Sequence, residues 1–137
     1  MRRILVASVT LWCATATPML AQSAEESASD RAIGALSRFA VAYGGYVVEI
    51  RCELLDADKR AALKQVVEAD LTRLKSVFEP DMVDAATGAG EETAAGADFK
   101  TCGADSKEFA LFGYDMAEEA KALLDTLPEG FSVTVTP

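Results

Sequence analysis

Cys52 and Cys102 have the most chemistry to offer in this chain, and they stand 50 positions apart. Catalytic dithiols usually have two residues between them, in a motif that depresses the pKa of one thiol. A separation of 50 suits a structural disulfide instead. Two cysteines allow a single intramolecular connectivity. Closing a loop of that length is worth roughly 4 kcal/mol in the chain-entropy model, a large share of the stability of a small domain.

Every other reactive arrangement lacks a partner. The chain has no histidine, so it offers no base of the kind that activates serine or cysteine nucleophiles. A zinc or copper site would have to be built mostly from carboxylates. Asp56-Ala57-Asp58 opens like a calcium loop, but Ala61 stands where that loop needs glycine and Val67 where it needs a bidentate glutamate. Asp56 is better read as a helix cap. Glu91-Glu92 and Glu118-Glu119 are sequence neighbours that point in different directions on a helix, so neither is a carboxylate dyad. Gly88-Ala89-Gly90 lacks the third glycine and the preceding strand of a dinucleotide-binding turn. These patterns predict no catalytic residue, no metal site and no cofactor, and a protein that is not an enzyme.

The first segment reads as a secretory leader. Arg2-Arg3 precedes an uncharged run from Ile4 to Leu20, which at 17 residues falls short of the ~20 that a spanning helix needs. Met19-Leu20-Ala21 ends in a small residue, placing cleavage after Ala21. Arg2-Arg3 is not followed by a twin-arginine pattern, and Cys13 follows bulky Trp12, unlike the cysteine of a lipoprotein signal. The expectation is a cleavable signal peptide over 1–21, a single domain over 22–137, and no later membrane segment. The compartment is the bacterial periplasm, with secretion as the alternative. Cys52 and Cys102 would then be the two cysteines left in the mature chain.

Without its leader the chain carries 11 basic and 22 acidic residues, a net charge of −11. That balance disfavours nucleic acid and anionic membrane surfaces, which attract clustered Lys and Arg. It suits a basic partner in the envelope, or plain solubility. Alanine dominates the apolar residues, the composition of a small helical protein.

Helical periodicity supplies the elements that must position the cysteines. Gln22–Ser29 is small and polar and reads as a frayed start, with Ser27 or Asp30 capping the first helix. Ile33, Leu36, Ala40, Tyr43, Val47, Ile50 and Leu54 recur at helical spacing. Gly44-Gly45 within that stripe marks a kink, a close helix contact or the helix end. Residues 46–54 also alternate as a half-buried strand would; helix is preferred because the stripe continues across both sides. A second helix follows Asp56, with Leu63, Val67, Leu71, Leu74 and Phe78 on one face and neighbouring charges at Lys64/Glu68 and Asp70/Arg73. Pro80 stops it.

Residues 80–98 hold five acids, no base and a Thr87-Gly88-Ala89-Gly90 centre, which predicts a flexible acidic loop. A short helix from about Glu91 would carry Cys102 and end near Gly103. The last helix would start with Asp105 and Glu108 at capping-box spacing and present Phe109, Phe112, Met116, Ala120, Leu123 and Leu127. Pro128-Glu129-Gly130 ends it before an extended tail. Phe39, Tyr43 and Tyr46, with Phe109, Phe112 and Tyr114, read as core, or as the lining of a small apolar groove.

The fold class is therefore all-α, a small bundle of three to four helices clipped by one disulfide. An α+β fold pairing a strand near 46–54 with 131–136 is the alternative. Two functions fit. One is a non-catalytic interaction module of the inhibitor or immunity type, whose −11 charge would speed encounter with a basic partner. The other follows from a resemblance: the leader, the cysteine spacing and the helical pattern are similar to the small acid-activated chaperones of the enterobacterial periplasm. That likeness implies suppression of client aggregation at low pH, where protonating every carboxylate would swing the mature charge from −11 to +11.

Overall fold

A computed structural model describes residues 18–133 of the chain, with side chains from Ala28 onward. Four helices carry most of that stretch: α1 (Pro18–Cys52), α2 (Ala57–Val77), α3 (Pro80–Ala94) and α4 (Ala104–Asp125), with a 3-10 turn at Ala97–Phe99 before α4. No strand occurs among the described residues, so the all-α bundle expected from periodicity is the fold. None of the described helices is long and apolar enough to cross a membrane. The leader reading falls largely on residues 1–17, outside the described residues; the expected cleavage position, Ala21, lies in the backbone of α1.

α1 is the organising helix, packed most extensively on α4 and α3, while α2 closes the bundle against α4 and α1. Its backbone already includes 22–29, where a frayed start capped by Ser27 or Asp30 was expected. That stretch contains neither glycine nor proline, so nothing in it breaks a helix. α1 also runs through Cys52, which overturns the strand alternative. Val48 and Glu49 are consecutive and both buried, a pattern that a period-two strand with one wet face does not produce.

The buried face of α1 is Ala32, Ala35, Phe39, Ala42, Gly45 and Val48, one position away from the expected stripe. Ile33 and Ile50 of that stripe are 49% and 60% exposed. α4 is offset by one position in the other direction: Ser106, Ala110, Gly113, Ala117, Ala120 and Leu124 are buried, and Phe112 is 48% exposed. Of the residues expected on that face, Ala120 and Leu127 are buried, while Phe109, Met116 and Leu123 are half-buried. The physical reason is proximity. A Cβ on Gly45 would lie 2.9 Å from the Cα of Gly113, so only small side chains fit between the two helices. Gly44-Gly45 is therefore a close helix contact.

The largest correction concerns 80–98, which is no flexible loop. Pro80 ends α2 and opens α3 at its first position, where a missing N–H costs nothing. Val83, Ala86, Gly90 and Ala94 form the buried face of α3. A Cβ on Gly90 would stand 2.6 Å from the Ala40 carbonyl oxygen and 2.8 Å from the Gly44 nitrogen. The glycine thus serves contact rather than flexibility.

Local caps divide the same way. Asp56 caps α2, accepting a bond of 2.8 Å from the Lys59 backbone N–H. α4 is preceded by Gly103 with no side-chain cap, so Asp105 and Glu108 form no capping box. Cys102 lies in the connection just before α4 rather than in a helix, at φ 53°. The disulfide to Cys52 holds their Cα atoms 5.4 Å apart and fastens the end of α1 to the start of α4. Of the expected extended tail, residues 131–133 are described: Phe131 and Val133 pack on the core, and Val133 donates its N–H to the Val77 carbonyl at 2.8 Å. The rest of the tail lies outside the described residues.

Candidate functional site

The spacing of Asp105, Glu108, Phe112 and Asp115 puts one aromatic ring among three carboxylates on a single face of α4. The opposing wall is the 3-10 turn, which contributes Asp98 and Phe99. Between them the Phe99 ring stacks on Phe109, with centroids 4.4 Å apart and planes 15° from parallel. These residues, with Leu111, enclose an open groove of about 570 Å³. That volume lies within the ~300–1,000 Å³ of ordinary ligand sites.

The wall is held in place by α1. Arg51, beside the disulfide, donates to the Ala94 carbonyl at 3.1 Å and to the Phe99 carbonyl at 2.8 Å. The buried Ser106 hydroxyl donates to the same Phe99 carbonyl at 3.2 Å. With the Cys52–Cys102 bond, these ties hold the 3-10 turn against the end of α1 and the start of α4.

The rim carboxylates form no ion pair among the described residues. The ion pairs between described side chains include Arg38–Glu119, Arg60–Glu49 and Lys121–Asp125, and none of these uses Asp98, Asp105, Glu108 or Asp115. Leu111 is 39% exposed beside the half-exposed Phe112. This arrangement is suited to hold a group that is cationic and partly apolar. No group of three or more acidic, histidine or cysteine residues among the described ones is placed to hold a metal ion.

Two further acids are buried, and each does something different. Glu49 accepts from the backbone N–H groups of Leu54 at 3.0 Å and Leu55 at 3.1 Å, and from Arg60 Nε at 2.9 Å. It closes the turn between α1 and α2, and its hydrogen bond helps raise the pKa of Arg60. Asp70 on α2 is equally buried, but its Oδ2 has no hydrogen-bond partner among the described residues. Burial, reinforced by Glu118, pushes its carboxyl up to about 7; Lys121 works against this and Asp125 adds to it. The expected Asp70–Arg73 pairing on the helix surface does not form, and Arg73 instead donates to Ser76.

Cys52 and Cys102, far apart in sequence, are brought together. The six aromatics are not. Phe39, Tyr43 and Tyr46 form their own chain of tilted rings, with centroids 5.8 and 6.2 Å apart. Tyr114 lies under Lys59 Nζ, 4.0 Å from its ring centroid, while Phe109 and Phe112 reach the groove. No sequence pattern marks Asp98, Phe99, Leu111 or Asp115, and Asp105 and Glu108 stand at the spacing of a cap. The available signal was Phe112 sharing a helix face with three acids, a poor composition for a buried stripe. No family model, no curated protein and no solved structure matches the chain.

Proposed function

We propose that this protein is an exported, non-catalytic interaction module of the inhibitor or immunity type, acting in the periplasm on a basic protein partner. The observation that carries this reading is the aromatic groove rimmed by four carboxylates that form no ion pair among the described residues. Desolvated aromatics anchor protein interfaces, and uncompensated charge speeds encounter with a partner of opposite sign. The leader-like first segment and the disulfide support export.

Capture of basic proteins from envelope extract tests the reading, using the disulfide-bonded protein and an Asp105→Asn/Glu108→Gln variant at low and moderate salt. The expected result is a salt-sensitive basic partner that the variant retains at least tenfold less well. A partner bound equally by the variant, or indifferent to salt, would overturn it.

The acid-activated chaperone remains the second reading on the resemblance alone. Asp70 acts in the opposite sense to acid release, since neutralising it favours the folded chain. Suppression of client aggregation at low pH, absent at neutral pH, would move the assignment to that class.

A further inference from the structure

Resting on the interaction reading above, we infer that the groove takes an arginine-bearing basic segment and discriminates arginine from lysine. The discriminating ring is Phe112. It lies on the same face of α4 as Glu108, four residues before it, and Asp115, three residues after it. A carboxylate therefore stands along the helix on either side of an aromatic ring that is 48% exposed.

A planar cation laid on that ring has its N–H edges directed outward, towards the positions where such carboxylates stand. Guanidinium meets both demands at once, because it stacks on aromatic faces and donates in a rigid fork. An ammonium is a compact, strongly hydrated point charge that gives up more hydration to approach the ring and matches no two-pronged acceptor.

The contrast with Tyr114 is informative. Its ring already carries an internal cation, Lys59, at 4.0 Å. Leu111 and the stacked Phe99–Phe109 pair extend the apolar surface beyond Phe112. The fitting segment therefore pairs its arginine with a neighbouring apolar side chain. Asp98 and Asp105 supply further negative charge for a second basic residue.

The test uses two soluble peptides of equal length and charge, each with one leucine, carrying either arginines or lysines as their cations. Calorimetric titration at low salt is expected to show at least tenfold tighter binding of the arginine peptide. Phe112→Ala should bring the two affinities to within about twofold, and Phe112→Tyr should keep the preference. Thermal melts check that both variants fold. Equal binding of the two peptides by the native protein overturns the arginine inference and leaves the interaction reading standing. Binding of neither peptide overturns both. An arginine preference that survives Phe112→Ala overturns the role given to this ring.

Discussion

Gly45 and Gly113 bring α1 and α4 together backbone to backbone: a Cβ on Gly45 would sit 2.9 Å from the Gly113 Cα and 2.9 Å from the Phe109 carbonyl oxygen. Neither of those atoms can move without moving α4. Gly45→Ala and Gly113→Ala should therefore each destabilise the protein by about 1–3 kcal/mol, despite the better helix propensity of alanine. Urea unfolding followed by circular dichroism measures this, and an alanine variant as stable as the native chain would refute the contact.

α3 provides an internal control in two glycines two positions apart. Gly90 has the Ala40 carbonyl oxygen 2.6 Å from where a Cβ would go, whereas around Gly88 no atom of the described residues lies within 4 Å of that position. Gly88→Ala should stabilise the protein by roughly 0.5–1 kcal/mol, through helix propensity alone. Gly90→Ala should destabilise it by an amount on the order of 2 kcal/mol. If both substitutions shift the urea midpoint in the same direction, α3 is not packed on α1 as described.

Asp70 makes stability depend on pH. Its folded pKa is about 7 against an ordinary 3.8, so between those values the folded chain holds a proton that the unfolded chain has released. The resulting stabilisation is complete below the unfolded value and is lost as pH rises through about 7. Asp70→Asn should raise the melting temperature at pH 8 and flatten the profile between pH 4 and 8. The effect should be at most about 4 kcal/mol, the free energy that separates the two pKa values. Melts of both proteins across that range decide it, and parallel profiles would count against the buried, unpartnered carboxylate.

The groove wall depends on α1 as much as on its own residues. Arg51 holds the Ala94 and Phe99 carbonyls, so Arg51→Gln should weaken binding of the arginine peptide several-fold. Removing a positive charge would by itself favour a cationic ligand, so a loss of affinity reports the wall and not the field. Unchanged or tighter binding would mean that the 3-10 turn keeps its place without Arg51. Cys52→Ser/Cys102→Ser should cost roughly 4 kcal/mol in urea unfolding, the upper figure for closing this loop.

Much of the bundle was legible in residues. Leu63, Val67 and Leu74 marked the buried face of α2, Asp56 its cap, and Cys52 and Cys102 the clip. Those signals are local, or, for the cysteines, set by pairing arithmetic. What the sequence left misread was α3, the faces of α1 and α4, and the groove. In each case the deciding interaction is between helices. Gly90 reads as a loop former until Ala40 and Gly44 stand against it. Large side chains such as Ile33 and Phe112 read as core, whereas the seam around the Gly45–Gly113 approach is filled mostly by alanine and glycine.

By itself the sequence determined the helical class, the negative charge and the cysteine pair, since composition, periodicity and count require no neighbours. Only the tertiary structure decided which faces of α1, α3 and α4 are buried, because the distance between backbones sets the size of side chain allowed there. The same closeness turns Phe112 outward beside the acids of α4, and so the groove exists only in the folded chain.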